Sequence, residues 1–449
     1  MELNARPARE PGSVDLRSLA RDAIDLTQRI IDRCGPRLAG TEASRKAARL
    51  LAARLHPLCD HVAVEPFSVH PDALMGFIRV TTVLYVAGTA LLIASMSLAA
   101  SVCFTAGALV TTSQFLLYRE VLDPLFPRRV GHNVVAILEP EDEPSRQLIF
   151  AGHHDSTRVF NMLRRLPQLY RLRLAGAFVA VFGMPLVGWL CAAFARQEVP
   201  PMIVALDCAM GLVFLGPMWF FLGKEGVPGA GDNLIASSML VSIARALRSA
   251  DSGLRGTRVI LFSSDAEEAG LRGARAFVRR HEAELGRLPT TLLNIDSVYR
   301  ADRIQFLCSD LNGFVPLDRA LADRCVEIAK GLGVAARTFR MYPGAGATDA
   351  AEFARVGVRS TTLIALPTDI EGGGLVYHTP HDTVATIQPT AVEACLGVAL
   401  GLAREVDENG AQGTRAVPSA STSDARTRTA RGQHRTSPPG RTADTPTWR

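Results

Sequence analysis

Residues 80 to 118 contain no charged side chain, from Val80 just after Arg79 to Tyr118 just before Arg119. A run of that length can cross a hydrocarbon core of about 30 Å twice, as helices of about 20 residues. A second charge-free run extends from Leu174 to Ala195, and a third, from Val199 to Gly223, is broken only by Asp207. The reading is four membrane helices in two hairpins, each leaving and returning on one side. The alternative is a buried helical hairpin or an oligomer interface. Asp207 is costly against lipid, so it is expected near a helix end or facing a neighbouring helix. Trp189, Trp219 and Tyr118 are placed at interfacial depth.

Basic residues orient the hairpins. Arg79, Arg119, Arg128, Arg129, Arg164, Arg165, Arg171, Arg173 and Lys224 flank the ends joined to the rest of the chain, whereas the tips carry only Arg196 beside Glu198. The positive-inside tendency then places the soluble part in the cytoplasm of a multi-pass membrane protein, with the bilayer as a partner.

Outside these runs the chain alternates strand and helix. Apolar β-branched segments occur at Val134–Leu138, Leu148–Ala151, Val259–Phe262, Thr291–Ile295 and Ser360–Leu366. Between them lie helical patterns such as Leu234–Leu247, with Ile235, Met239, Leu240, Ile243 and Leu247 on one face. This alternation predicts an α/β three-layer sandwich with a mostly parallel, mixed central sheet. Residues 31–410 form that body, interrupted by hairpins at 78–118 and 174–223 and preceded by an extension over 1–30. From about Gln412 onward Ser, Thr, Pro, Gly and Arg dominate, so residues 411–449 are expected to be a disordered tail. Seven Arg in that tail against Asp424 and Asp444 account for the whole formal charge of +5. The rest is neutral, and no nucleic-acid surface is implied. The eight cysteines show no paired spacing, which fits reduced thiols in a cytoplasmic setting, and the polar N-terminus lacks a signal-peptide core.

Six acidic and imidazole residues fall in five places, each where a predicted strand has ended or a helix begins: His153, Asp232, Glu267 with Glu268, Asp296, and His378. Their surroundings read HHDS, GAGDN, DAEEAGLRG, LNIDSV and YHTPHDT. Loops at the carboxyl ends of strands converge on one edge of an open α/β sheet, so residues far apart in sequence meet there. Three carboxylates and two neutral imidazoles can hold two divalent ions, one imidazole on each. The charges of two Zn²⁺ are then balanced by Asp232, Glu268, Asp296 and one hydroxide. Glu267 is left over to take a proton from the attacking water. His154 and His381 read as structural or surface residues, and Asp382 as a carboxylate that orders its loop.

This motif set resembles the dizinc peptidases of metallopeptidase family 28, which includes aminopeptidases, glutamate carboxypeptidases and glutaminyl cyclases. The likeness covers about Gly35 to Leu402 and begins with GPRLAGT (Gly35–Thr41), ahead of a helix over Glu42–Leu55. By the resemblance, Asp232 matches the bridging carboxylate. His153 and Asp296 match ligands of opposite metals, Glu268 and His378 match the other ligands, and Glu267 matches the general base. Asp155 matches an aspartate orienting its neighbouring histidine, and Tyr377 sits where some relatives place a tyrosine that steadies the oxyanion. The resemblance also implies a cis peptide after Asp232. Two departures stand out. Many relatives have an Asp-His pair where this chain reads Thr348-Asp349-Ala350, and the region between Asp155 and Asp232 carries a membrane hairpin.

The implied activity is zinc-dependent hydrolysis of peptide or amide bonds, most simply by an aminopeptidase acting on peptide or aminoacyl substrates; the same ligand set would accept other divalent metals. The alternatives are a glutaminyl-cyclase-like acyl transfer using one zinc, and a non-catalytic receptor or scaffold.

Overall fold

In the computed structural model, which describes residues 15–194, 199–249, 254–367 and 375–414, the β-branched segments become neighbours in one nine-stranded sheet. The chain opens with helices α1 (Leu16–Cys34) and α2 (Glu42–Leu55), strand β1 (His61–Val69), and the helical pair α3 (Ala73–Ile93) and α4 (Ser97–Leu116). Strands β2 (Arg129–Leu138), β3 (Arg146–His153) and β4 (Arg158–Phe160) follow, then a short helix α5 (Asn161–Arg165). A second helical pair, α6 (Pro167–Phe194) and α7 (Pro201–Phe220), returns through β5 (Leu222–Gly226) to α8 (Ile235–Arg248) and β6 (Thr257–Ser264). The remainder comprises α9 (Arg272–Leu285), β7 (Thr290–Val298), β8 (Ile304–Asp310), β9 (Val315–Pro316) and α10 (Arg319–Gly331). It ends with β10 (Ala336–Arg340), α11 (Ala350–Ala354), β11 (Arg359–Ala365) and α12 (Pro389–Thr414).

The sheet order is β1-β2-β6-β3-β7-β11-β8-β10, with β9 on β8. Its centre, β6-β3-β7-β11, is parallel, while β1, β2 and the β11–β8 junction are antiparallel. Both faces of the central strands are apolar, as a sheet covered on both sides requires. Leu148 and Phe150 of β3 pack towards α1, α8 and α12, whereas Ile149 and Ala151 pack towards α9 and α11. This is the expected three-layer α/β sandwich.

Among the described residues, four helices are long and apolar enough to cross a membrane: α3, α4, α6 and α7. Their own core joins Phe77, Tyr85, Phe104, Met184 and Leu215, while Val86, Leu109, Leu186 and Leu212 stay exposed on the outside. Small residues let the helices approach closely: a Cβ on Gly188 would lie 3.2 Å from the Ser101 Cα, and one on Gly211 would lie 2.7 Å from the Tyr85 ring. Asp207 is fully buried, and its backbone carbonyl accepts from the Tyr85 hydroxyl at 3.1 Å.

Several boundaries differ from the sequence reading. Both helical pairs begin earlier than the charge-free windows, because Arg79, Arg171 and Arg173 lie within helices. Arg79 shows how a charge is tolerated there, its guanidinium sitting 5.7 Å from the centre of the Trp219 ring. Tyr118, expected at interfacial depth, is buried against Leu271, Leu311 and Val315. The segment 1–30 is not wholly an extension: α1 places Leu19, Ala23 and Ile30 in the main core. At the other end α12 continues to Thr414, while residues 415–449, the rest of the tail, lie outside the described residues, as do 195–198 at the second hairpin tip.

Candidate metal centre

The carboxyl ends of β3 and β7 are adjacent in the sheet, so His153 and Asp296 emerge side by side. Asp232 completes a first group with them, and a second group joins Asp232, Glu268 and His378; within each, the ligand atoms lie within 4.8 Å of one another. Asp232 is therefore shared. Its Oδ1 is 3.5 Å from His153 Nε2 and its Oδ2 is 3.0 Å from His378 Nε2, which in turn is 3.0 Å from Glu268 Oε1. The two imidazoles fall in separate groups. The pairing of His153 and Asp296 does not follow the resemblance, which set them on opposite metals. Register decides this: the β3–β7 ladder sets Ala151 opposite Asn294, which carries forward to His153 beside Asp296, whereas on the β6 side His153 faces Ser264, four residues short of Glu268.

Glu267 stands beside the first group, its Oε2 3.8 Å from His153 Nε2. Asp155 orders both sides: its Oδ1 is 3.2 Å from His153 Nδ1, and its carboxylate accepts from the backbone N–H groups of Glu267 and Glu268, each at 3.2 Å. The hydroxyl of Ser297 lies 2.9 Å from Asp296 Oδ1 and 3.2 Å from Asp232 Oδ1. The peptide after Asp232 is cis, as the resemblance implied. The GAGDN turn needs its first glycine: Gly229 has φ +59°, and a Cβ there would lie 2.6 Å from that of Ser156.

Aromatic rings hold His378. Tyr377 stacks flat on it at 3.5 Å between centroids, and Phe160 meets it edge-on at 4.2 Å. The Phe160 N–H donates to the His378 carbonyl at 3.0 Å, fixing a backbone whose φ of +57° is unfavourable for a side-chain-bearing residue. Asp382, buried, accepts from the N–H groups of Gly231 and Asp232, so the loop it orders is the distant GAGDN turn. His154 is buried beside Ser263 Oγ at 2.8 Å, and burial together with Arg37 and His153 lowers its pKa to about 3, leaving it neutral. His381 is exposed. Asp349 accepts from the Ser264 hydroxyl, and Thr348 donates to Asp310, so this departure from the family pattern is tied into the site's underside.

Electrostatically the cluster calls for cations. Burial raises Glu267, Glu268 and Asp296, and neighbouring carboxylates raise them further. Burial alone would lower His153 and His378, yet the surrounding carboxylates raise both, His378 to about 9. Two donor sets of imidazole and carboxylate that share one bridging acid fit a pair of divalent ions, which would remove this crowding.

Arg37, inside GPRLAGT, has a role the sequence does not show. It is fully buried and donates to the carbonyls of His154 (2.7 Å), Pro228 (2.8 Å) and Gly229 (2.8 Å). These carbonyls belong to the loop after His153 and to the turn before Asp232, so one guanidinium joins two ligand-bearing segments. A buried arginine with long-range partners leaves no local signal.

A model of peptidase family M28 matches residues 133–403. The chain belongs to that family. Solved structures of similar fold include a glutaminyl cyclase from an Acidobacteriales bacterium, at 15% identity and a TM-score of 0.53, covering 90% of this chain and 100% of that one. LapB from Legionella pneumophila aligns at 14% identity and a TM-score of 0.51 over 89% of this chain and 77% of that one. A zinc aminopeptidase from Bacillus subtilis aligns at 16% identity and a TM-score of 0.50 over 86% and 95%. At these identities the likeness is one of fold. Comparison with curated proteins finds no match. Membership of M28 makes a hydrolase the coarse reading of the site.

Proposed function

We propose that this M28 member is a membrane-embedded dizinc exopeptidase, most simply an aminopeptidase, hydrolysing peptide or amide bonds. The observation that carries the reading is the sharing of Asp232 between two ligand groups, with Glu267 beside them as an acid that belongs to neither. His153, Asp232 and Asp296 would hold one ion, and Asp232, Glu268 and His378 the other. Bound zinc would polarise the scissile carbonyl and lower the pKa of water. Glu267 takes the proton of the attacking water and returns it to the leaving amine. Asp155 keeps His153 and the Glu267–Glu268 backbone in place, and Tyr377 offers its hydroxyl to the oxyanion.

Replacing Glu267 by Gln should abolish turnover of aminoacyl and peptide substrates while elemental analysis still counts two metals per chain. Surviving turnover would remove Glu267 from the proton transfer. Fold likeness to a glutaminyl cyclase keeps acyl transfer in view; one bound zinc together with ammonia release from an N-terminal glutamine would favour that branch. The apolar exteriors of α3, α4, α6 and α7 support insertion in a bilayer, and the basic residues at their roots support a cytoplasmic catalytic domain. A reporter fused within residues 196–201 that reads as cytoplasmic would reverse this topology.

A further inference from the structure

The end of the first helical hairpin does more than return the chain to the sheet. Immediately after α4, residues 119 and 120 turn over α9 and α11 and border a cleft of about 360 Å³. Its lining includes Arg119, Arg275, Arg279 and Arg355 against Glu120 and Glu352, a net charge of +2. The floor is rigid. Arg275, buried, forks onto Glu352 at 3.0 and 2.8 Å, reaches Glu120 at 2.9 Å, and donates to the Tyr118 carbonyl at 2.9 Å. Arg355 also shares Glu352. The rim is not neutralised: Arg279 is 3.8 Å from a Glu120 that already serves Arg275, and Arg119 takes part in none of these pairs.

We propose that this cleft binds the phosphodiester headgroup of an anionic phospholipid. Planar guanidinium forks suit phosphate oxygens, and a preset floor limits the ordering that binding requires. Position selects the lipid over free phosphate. The candidate span α4 ends at Leu116 and Arg119 follows three residues later, which puts it at headgroup depth when the hairpin is inserted. The neighbouring Val121 and Leu125 expose apolar side chains, 56% and 72% accessible, suited to acyl chains. Basic pockets beside the cytoplasmic ends of membrane helices are suited to anionic headgroups.

The inference rests on the membrane reading, which is tested separately by retention of the full chain in membranes washed with alkaline carbonate. The full-length protein in neutral detergent is titrated with phosphatidylglycerol, phosphatidylcholine or inorganic phosphate, and the midpoint of thermal unfolding is followed. Phosphatidylglycerol should raise the midpoint while the other two do not. The double variant R119Q/R279Q should need about thirtyfold more phosphatidylglycerol, whereas R29Q/R33Q, which removes the same charge on α1, should respond as wild type. An equal response of wild type and R119Q/R279Q overturns the site, and so does an equal shift with inorganic phosphate, which identifies a free-anion site. Release by carbonate would refute the membrane reading; retention without a lipid response would remove the cleft alone.

Discussion

Arg37→Met tests whether the two ligand-bearing loops are held by one buried cation. Burial lowers the Arg37 pKa to about 10 while Asp382 and Asp155 raise it, so the side chain is charged at neutral pH. Its three shortest hydrogen bonds run to the carbonyls of His154, Pro228 and Gly229, of which the last keeps the Leu234 N–H at 3.2 Å. At about 1.5 kcal/mol for each bond from a charged donor, the loss is about 4–5 kcal/mol. Removing one partner from a compensated buried charge gives a similar figure, about 3–5 kcal/mol. The agreement of two routes makes Arg37→Met a severe change, with zinc affinity falling about 10- to 100-fold as the His153 and Asp232 segments loosen. Arg37→Lys keeps the charge but not the fork, so its loss should lie between. Denaturant unfolding in micelles and competition with a zinc chelator would measure both effects. An Arg37→Met protein within about 1 kcal/mol of wild type, with unchanged zinc affinity, would refute the clamp.

Phe160→Ala removes the ring edge-on to His378 and should weaken zinc about tenfold, with Phe160→Leu nearer wild type, as read by chelator competition. Gly188→Val would push α6 from α4, because its Cβ would lie 3.2 Å from the Ser101 backbone; a loss of about 1–3 kcal/mol should appear in unfolding in detergent. Asp310→Asn tests a buried acid away from the ligands. Burial lifts Asp310 to about 6, with hydrogen bonds from Thr348 and Leu311 opposing. Its folded pKa thus lies above the unfolded one, so its contribution is fully present below about pH 4 and is lost as pH rises towards 6. Relative to wild type, the Asn variant should therefore gain stability between pH 4 and 6 and level off above, which unfolding at a series of pH values would show.

The strands and the convergence of the candidate ligands on one edge were legible because both rest on local signals: β-branched runs with two apolar faces, and acids placed at their ends. The assignment of His153 and Asp296 to opposite metals failed on strand register, a long-range property, since nothing near residue 153 says that it lies level with Asp296 on β7. Helix starts were misjudged for a different reason. A count of charges stops at Arg79 and Arg173, but a helix does not, because a long basic side chain can carry its charge away from the apolar surface or onto Trp219. Arg37, Phe160 and Tyr118 act through contacts more than a hundred residues away in sequence, and none sits in a periodic pattern.

The second hairpin enters and leaves through one antiparallel ribbon, with Arg158 opposite Gly226 and Phe160 opposite Leu222, so its two ends are adjacent and the insertion leaves the sheet undisturbed. The same ribbon is not isolated from the site. β4 begins three residues after Asp155 and ends at Phe160, whose N–H and ring hold His378, while β5 leads through Val227, bonded to the Thr157 carbonyl at 2.9 Å, to the turn before Asp232. The first hairpin makes a matching approach. Its last residue, Tyr118, gives its carbonyl to Arg272 and Arg275 in the first turn of α9, the helix that follows Glu267 and Glu268. An anchor alone needs only a connection to the domain. Here each hairpin root bonds to a segment that carries proposed ligands, so the helical pairs and the candidate metal site share one framework.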